Sequence, residues 1–351
     1  MRRRILYIHN SDFSSPAANK LQVARMCEAF VRQGVRCELL AAGRDVDFKK
    51  TYRVREKFSK ILIRPGKFFL WRSLRLAIIG LNRKPGMIFT RDLFSAFVCG
   101  WFSSVPVVYE LHDYVKPLHW RLLFKLVFSR VRAIVAISEM MRQDLIRDGY
   151  DAVKIVTLQD GVDLARYTAL PSRVACRKKL GWGNEKVIAH VGTTDEHRDL
   201  QSLYYVSKKL KDLIFRVYGK ESDFVRGLEG NNFRLEGFTM KPEIVCRAAD
   251  LLFCGYRSSQ PTLRHMSPLK LFEYMASGTP VVAVDTPSIR EVANDSQVFY
   301  YRIDDEKDLL ATIRRALTDE KESKARASRA LRRVGRFSWD ARAKEILRFM
   351  P

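Results

Sequence analysis

The sequence predicts an α/β protein made of two Rossmann-like, doubly wound domains. Short β-rich runs alternate with segments of helical periodicity in the first half of the chain. The pattern loosens over residues 164–178 and restarts with a new first strand at residues 186–191. Strands that alternate with helices form parallel sheets covered by helices on both faces. A length of 351 residues is enough for about two domains of ordinary size.

The first half supplies the elements of one such domain. Gly34 ends the first helix, and Ser138 is placed to cap the third. The helices are expected at residues 20–33, 125–131 and 139–147. The strands are expected at residues 5–9, 35–41, 87–90, 105–109, 133–137 and 154–158.

The second half repeats the alternation. A charged helix and a last helix follow this second domain near the end of the sequence. The helices are expected at residues 200–211, after Pro242, at 320–333 and at 340–349. The strands are expected at residues 186–191, 214–218, 233–235, 251–254 and 281–284. Ligands of such sheets bind at the carboxyl ends of the strands.

Composition limits the classes of function. An apolar content of 47% and a charged content of 29% describe a globular protein, and no apolar run approaches the roughly 20 residues that span a bilayer. No signal peptide is recognisable at the N-terminus. The six cysteines lack metal-site spacing and read as reduced core residues, which favours the cytoplasm. A net charge of +24 indicates an anionic partner: nucleic acid, an anionic membrane or a phosphorylated substrate.

The segment at residues 267–282 is the most informative one. Ser267 can cap a helix whose first position suits Pro268, and Gly278 ends that helix. Lys270 and Glu273 are three residues apart, so they share one face near the helix start. A helix N-terminus with a lysine favours phosphate, and a carboxylate one turn later can bind ribose hydroxyls. The segment therefore predicts a nucleotide site, and the alternative is a Lys–Glu pair on a solvated helix.

Several further segments occur in a characteristic order. They are residues 108–113 (VYELHD), 136–139 (AISE), 159–163 (QDGVD), 190–192 (HVG), 217–219 (VYG), 235–238 (LEGF) and 337–339 (FSW). With residues 267–282, their sequence resembles that of the GT-B glycosyltransferases, most closely the retaining enzymes of family 4. The resemblance implies two facing Rossmann-like domains with a central cleft. Residues 1–166 would bind the acceptor, residues 167–336 would bind the donor, and a C-terminal helix at 337–351 would cross back to the first domain.

The resemblance also implies roles for individual residues. Lys270 and Arg198 would bind the diphosphate, Glu273 the ribose, and His112 would lie against the transferring sugar. The backbone near the diphosphate and the base would come from a larger group: Gly192, Tyr218, Gly219, Gly237, Phe238, Ser267, Pro268 and Leu269. Two departures stand out. His265 occupies the position of an acid that the family usually has eight residues before Glu273, and residues 193–197 lack the usual arginine.

The chemistry of sugar transfer sets further expectations. Cations aimed at the leaving diphosphate stabilise the transition state, and GT-B enzymes do this without a metal or another cofactor. An inverting enzyme would need a general base, for which Glu110, Asp113 and Asp12 are candidates, whereas a retaining enzyme would not. Glu110 could instead be structural. The acidic pairs at 45/47 and 304/305 are read as a surface loop and a helix cap.

Residues 48–75 are strongly basic and are interleaved with aromatic and aliphatic residues. Such composition suits an anionic membrane surface, and the alternative is an ordinary amphipathic helix. The residues expected to contact the membrane are Lys49, Arg53, Lys57, Lys60, Arg64, Lys67 and Trp71.

The sequence therefore predicts a cytoplasmic glycosyltransferase, peripheral on the inner face of the membrane. It would move a sugar from a UDP- or GDP-sugar to a lipid-linked saccharide in bacterial surface polysaccharide synthesis, with retention and without a metal. One alternative is a nucleotide-sugar epimerase, which needs paired acid–base carboxylates that the sequence does not supply. A basic nucleic-acid-binding protein is the other, and no nucleic-acid-binding module is recognisable.

Overall fold

The computed structural model describes residues 4–15, 17–44, 46–55, 57–66, 68–114 and 117–351. The chain divides into two compact units. Unit 1 comprises Met1–Asp160 together with Trp339–Pro351, and unit 2 comprises Gly161–Ser338. The domain limits expected from the sequence, at 166/167 and 336/337, lie within a few residues of these.

Unit 1 contains a parallel sheet of seven strands in the order β3-β2-β1-β4-β5-β6-β7. The strands are β1 (Arg4–Asp12), β2 (Arg36–Ala42), β3 (Ser59–Ile63), β4 (Met87–Thr90), β5 (Val107–Leu111), β6 (Ala133–Ala136) and β7 (Ile155–Thr157). The strand order reverses between β1 and β4. Such switch points are where doubly wound sheets bind ligands.

The helices of unit 1 pack on both faces of this sheet. They are α1 (Ala18–Arg32), α2 (Phe48–Tyr52), α3 (Phe69–Asn82), α4 (Leu93–Phe102), α5 (Leu118–Arg130), α6 (Glu139–Arg147) and α16 (Trp339–Ile346). Although α16 follows unit 2 in the chain, it packs against α1. Arg32 and Asp340 form an ion pair of 2.7 Å between these two helices.

Unit 2 contains a parallel sheet of six strands in the order β10-β9-β8-β11-β12-β13. The strands are β8 (Val187–Val191), β9 (Ile214–Tyr218), β10 (Phe233–Gly237), β11 (Leu251–Cys254), β12 (Val281–Val284) and β13 (Phe299–Tyr301). The helices are α7 (Leu164–Thr168), α8 (Arg173–Lys179), α9 (Leu200–Lys209), α10 (Asp223–Arg226), α11 (Pro242–Ala248), α12 (Leu269–Ser277), α13 (Pro287–Arg290), α14 (Glu306–Thr318) and α15 (Glu320–Val334). The switch point of this sheet lies between β8 and β11.

The predicted α/β fold class is confirmed. Several elements were not predicted: the helices α2, α3, α4, α7, α8, α10 and α13 and the strands β3 and β13. Of α14, only the helix cap at 304/305 was expected. Helix α4 has few polar residues, so its sequence carries no amphipathic period. The basic segment 48–75 is not one surface element. It forms α2, the edge strand β3 and the start of α3, and Phe48, Tyr52 and Ile63 within it are buried.

The structure also shows where the predicted acidic pairs and the cysteines lie. Asp47 caps α2 and Asp305 caps α14 through their side chains, while Asp45 lies outside the described residues. All six cysteines are buried and unpaired, as expected for reduced core residues. Among the described residues, no helix has the length and apolar character needed to cross a bilayer.

Candidate active site

In unit 2, the carboxyl ends of three adjacent strands are joined by backbone hydrogen bonds. The Gly192 amide donates to the Tyr218 carbonyl over 2.8 Å, and the Gly219 amide donates to the Gly237 carbonyl over 2.9 Å. Four of the residues predicted from the sequence therefore lie together at one edge of the sheet. Phe238 follows directly and is 70% exposed, so its ring is accessible to a ligand at this edge.

Glycine is required at two of these positions by close packing. The backbone of Gly192 has a φ of +147°, and a Cβ there would lie 2.5 Å from Cε of Lys270. A Cβ on Gly219 would lie 2.2 Å from the carbonyl oxygen of Gly192. The loop after β8 is thus packed between the loop after β9 and the side chain of Lys270, which leaves no room for a side chain at these glycines.

Helix α12 brings Lys270 and Glu273 to the same edge. The helix begins at Leu269 with Pro268 at the N-cap, one residue later than predicted, so Ser267 precedes the cap instead of forming it. Gly278 ends the helix in the left-handed conformation, as expected. Glu273 is half-buried. Burial, together with the negative charge of Glu273, raises the pKa of Tyr167, which indicates that this hydroxyl lies near the carboxylate.

The amine of Lys270 lies in a cationic environment. Its Nζ is 3.1 Å from Nε2 of His190, and that nitrogen is also 3.0 Å from the Thr193 carbonyl oxygen. Burial and the positive charge of Arg198 lower the pKa of Lys270 to about 7. Burial and Lys270 lower the pKa of His190, so this imidazole is neutral near pH 7. The site therefore gains stability when an anion enters it.

Arg198 lies beside Lys270, as predicted. Its Nε donates to Oγ1 of Thr193 over 2.8 Å, and its guanidinium stacks 4.5 Å from the centre of the Tyr256 ring. Arg257 donates to the side chain of Gln201 and pairs with Asp304. Arg198 also has an acidic neighbour, because its Nε lies 3.6 Å from Oδ1 of Asp195. Arg198 and Lys270 meet at the loop after β8.

In unit 1, Glu110 is the centre of a buried ion network. Its carboxylate accepts hydrogen bonds from Tyr7 (3.1 Å) and from Arg342, and it lies 3.9 Å from Nε of Arg91. His112 Nε2 is 3.1 Å from the same carboxylate. Burial alone would raise the pKa of Glu110, but Arg342 and His112 hold it well below its usual range.

This environment does not support the expectation that Glu110 is a general base. The side chain is inaccessible to solvent and its oxygens are already bonded to cations. His112 lies beside Glu110, and burial and Arg91 lower the pKa of this histidine. Asp113 is exposed one residue further along, and it stays a prediction without a defined role.

Asp160 lies beside this network. Gln22 donates to its carboxylate, and Arg91 in turn donates to Oε1 of Gln22 over 2.6 Å. Oxygen and nitrogen atoms of Glu110, His112 and Asp160 lie within 4.8 Å of one another, a spacing that could hold a cation. The Arg342 guanidinium already neutralises Glu110, so this donor set does not fit a metal ion well.

Sequence reasoning missed two histidines. His190 lies two residues before Gly192, and its position in the 190–192 segment was the available signal. His9 lies within β1 and is buried, with no hydrogen-bond partner for either ring nitrogen among the described residues. Burial and Arg91 lower the pKa of His9. Arg91, Gln22 and Arg342 had no recognisable local signal.

Two family models match the sequence. The model described as Glycosyltransferase Family 4 matches residues 21–166, and the one described as Glycosyl transferases group 1 matches residues 185–319. Together they leave only residues 1–20, 167–184 and 320–351 unmatched. The chain belongs to the family 4-like glycosyltransferases. It is therefore an enzyme, and the predicted family is confirmed.

Solved structures agree with the glycosyltransferase fold. Anabaena Alr3699/HepE, in complex with UDP and glucose, is 18% identical with a TM-score of 0.78, and 99% of each chain is covered. A glycosyltransferase from Rickettsia africae ESF-5 is 15% identical, covering 99% of this chain and 98% of that chain, with a TM-score of 0.79. WaaG, a glycosyltransferase involved in lipopolysaccharide biosynthesis, is 13% identical, covering 98% of this chain and 99% of that chain, with a TM-score of 0.69.

At these identities the likenesses establish the fold, which is GT-B, as the sequence predicted. No curated protein sequence matches this glycosyltransferase significantly.

Proposed function

We propose that this glycosyltransferase transfers a sugar from a UDP- or GDP-sugar to a lipid-linked saccharide at a membrane surface, in bacterial surface polysaccharide synthesis. The observation that carries the donor assignment is the contact between the Gly192 backbone and Lys270, with Arg198 beside them. Transfer of the sugar leaves negative charge on the departing diphosphate. Two cations and a close backbone approach stabilise that charge as it develops.

We propose that the reaction retains the configuration of the sugar and needs no metal. Two of the candidate bases are poorly suited to take a proton at neutral pH. Glu110 is held as an ion pair, and the Asp12 carboxylate, which accepts from the Ser14 amide over 2.9 Å, has a lowered pKa through its bonds to Ser14. A retaining mechanism does not require such a base, because the leaving phosphate can accept the proton of the acceptor hydroxyl.

The membrane part of the proposal rests on exposed apolar side chains in unit 1. Phe68 is 77% exposed, Trp71 is 64% exposed, and Phe69 and Leu70 between them are about half exposed. Residues of this size are rarely grouped at a surface without a partner. Aromatic and aliphatic side chains that insert at the lipid boundary are typical of peripheral membrane proteins.

A second apolar stripe lies on α5. Leu118, Leu122 and Leu126 are spaced by four residues and are 72%, 55% and 45% exposed. Helix α3 packs against α4, and α4 packs against α5, so both exposed groups belong to one layer of helices. This layer offers a larger apolar surface than the sequence segment alone.

Cations accompany the apolar groups. Lys49 on α2, Lys57 before β3 and Arg64 after β3 are exposed. Lys60 lies on the edge strand β3, where a lysine also discourages pairing with another strand, and its amine lies over the Phe48 ring. Arg53 ends α2, and Lys67 lies outside the described residues. Each basic residue near an anionic surface contributes about 1 kcal/mol to binding.

The donor proposal is tested by binding of UDP-glucose and GDP-mannose in calorimetry. Glu273→Gln should weaken the better ligand about tenfold, because a hydrogen-bonding carboxylate to the ribose is lost. The matched control is Glu229→Gln, an exposed glutamate of unit 2, which should leave affinity unchanged. Equal affinities for all three proteins would contradict the assignment of Glu273. Incubation with the donor alone should give no epimer, and an epimerised sugar would favour the epimerase.

The membrane proposal is tested by flotation with vesicles that contain phosphatidylglycerol. Changing Lys57, Lys60 and Arg64 to Gln should weaken vesicle binding about a hundredfold, while donor binding stays intact. The control changes Lys307, Lys321 and Lys324, three exposed lysines of unit 2, to Gln. If both triple variants lose binding equally, unspecific charge accounts for the effect and the proposed surface is wrong.

A further inference from the structure

A cavity of about 350 Å³ opens at the edge of the unit 1 sheet where the strands begin, opposite the edge that carries His112. It lies between the ends of α4 and α5 and the starts of β5 and β6. None of the functional residues discussed above contributes to it. Its lining consists of Gly100, Ser103, Ser104, Val105, Pro106, Ser129, Arg130, Val131, Arg132 and Lys154.

Three cations and no carboxylate line this cavity. Among the residues that the structure describes, Arg130, Arg132 and Lys154 have no acidic partner within ion-pair distance. The neighbouring Asp151 uses its carboxylate to accept the amide of Val153 over 2.9 Å. The like charges repel one another and are left for an anion to compensate.

Two of the cations are held in position by their surroundings. The guanidinium of Arg130 stacks 4.2 Å from the ring centre of Trp101, and the indole of Trp101 donates to the Leu126 carbonyl over 3.2 Å. Lys154 donates to the Phe128 carbonyl over 3.3 Å. Groups fixed before binding lose less conformational freedom when a ligand arrives.

Cations near the C-terminus of a helix also compensate its dipole, and this accounts in part for Arg130 and Lys154 at the end of α5. It does not account for Arg132, which lies beyond the helix. The Arg132 amide pairs with the Val107 carbonyl over 2.8 Å, while its side chain is exposed and has no hydrogen-bond partner among the described residues. Ser104 adds a further polar group at the same place. The Ser103 hydroxyl accepts the amide of Val105 over 3.0 Å and can still donate, whereas the Ser129 hydroxyl donates to the Leu126 carbonyl over 2.8 Å.

We propose that this cavity is a second anion site, which binds a phosphate-bearing group. Arginine and serine side chains are the usual partners of phosphate oxygens. Phe102 and Val153, which directly precede lining residues, are 73% and 92% exposed. The phosphate can therefore come from the headgroup of an anionic lipid or from a free phosphate compound. The site goes beyond the proposed transfer reaction, because it shares no residue with the donor site.

The first arm of the test is calorimetry with inorganic pyrophosphate, in a Lys270→Met background that weakens binding at the donor site. Arg132→Gln should weaken the remaining binding about tenfold, since one charge-assisted contact is lost. The matched control is Arg36→Gln. Arg36 is exposed at the same edge of the sheet, with β1 and β4 between it and the cavity.

The second arm measures flotation with phosphatidylcholine vesicles that contain phosphatidic acid, using the same variants. If the variants lose binding only to pyrophosphate, the ligand of the site is a free phosphate compound. If they lose binding only to the vesicles, the ligand is a lipid headgroup. Lys154→Gln provides an independent second variant if Arg132→Gln unfolds. The proposal is overturned if Arg132→Gln and Lys154→Gln match Arg36→Gln in both arms, or if the parent binds neither probe.

Discussion

The two units assemble their polar groups in different ways. In unit 2, Gly192, Arg198, Lys270 and Glu273 come from strand ends and from one helix start, and recognisable short segments contain them. In unit 1, Glu110 is bonded to Tyr7, which is 103 residues away in the sequence, and to Arg342, which is 232 residues away. The donor half-site is locally encoded, whereas the buried network depends on distant parts of the chain.

The difference also separates two kinds of electrostatic arrangement. In the part of unit 2 that the structure describes, no carboxylate lies within ion-pair distance of Lys270, although the charges of Asp195 and Glu273 act on it, so a ligand can pair with its amine. The charges of unit 1 compensate one another inside the protein. The first arrangement is suited to binding and the second to stability and positioning.

The largest expected effect comes from breaking the network of unit 1. Arg342→Met leaves the Glu110 carboxylate buried without its main partner, and the free energy of unfolding should fall by about 3–5 kcal/mol. Urea denaturation measures this loss. Adding Glu110→Gln to Arg342→Met should restore part of it, because the uncompensated charge is removed.

Arg348→Met is the matched control for this prediction. Arg348 pairs with Glu345 over 2.5 Å in the same C-terminal segment, but its side chain is 68% exposed. Exposed ion pairs contribute less than about 1 kcal/mol, so this variant should be nearly neutral. If Arg342→Met and Arg348→Met lower the free energy of unfolding equally, the Glu110 network contributes no more to stability than an exposed ion pair.

A smaller effect is expected from Gly192→Ala in unit 2. The backbone there is in a conformation that residues with a side chain rarely adopt, and the new Cβ would collide with Lys270. The free energy of unfolding should fall by about 2–3 kcal/mol, and donor affinity should fall at least tenfold. Gly227→Ala is the control, since nothing lies within 4 Å of a Cβ at that position. If Gly192→Ala binds the donor as tightly as the parent protein, Gly192 is not part of the diphosphate site.

The smallest effect concerns pH. Burial and the charge of Arg198 lower the pKa of Lys270 to about 7, and a bound diphosphate would favour its protonated form, so binding takes up a proton. Affinity for a nucleotide-sugar should therefore be greatest below pH 7 and fall by up to about tenfold per pH unit above it. Calorimetry in buffers of different ionisation enthalpy reports the proton uptake. A flat pH profile would contradict this account of Lys270, and Lys270→Arg should flatten it because arginine stays charged.

The sequence predicts the fold class well because strands and amphipathic helices carry their own period. Helix α4 was not predicted because it is apolar almost throughout and so has no amphipathic period. Strand β3 was not predicted because the basic residues around it determined how its segment was interpreted. The same distinction holds for the sites. Lys270 and Gly192 belong to segments whose local pattern predicts a nucleotide site, and the structure brings the two residues into contact.

Glu110 shows why the remainder could not be predicted. A carboxylate at a strand end is compatible with catalysis and with a structural ion pair, and only its partners decide between them. Those partners lie on β1, after β4 and on α16, and no pattern near residue 110 indicates them. Ser267 illustrates a smaller error, because either it or Pro268 could cap a helix and spacing alone did not decide which.

The position of α16 also has a consequence for synthesis of the protein. Residues Trp339–Pro351 belong to unit 1 but leave the ribosome after all of unit 2. Unit 1 has all seven strands by Thr157, but it lacks α16 until unit 2 has been made, although domains usually fold in the order in which they are made. Until α16 docks, Glu110 lacks its guanidinium partner and α1 lacks its neighbour. A growing chain must therefore keep this part of unit 1 from aggregating until its last helix arrives.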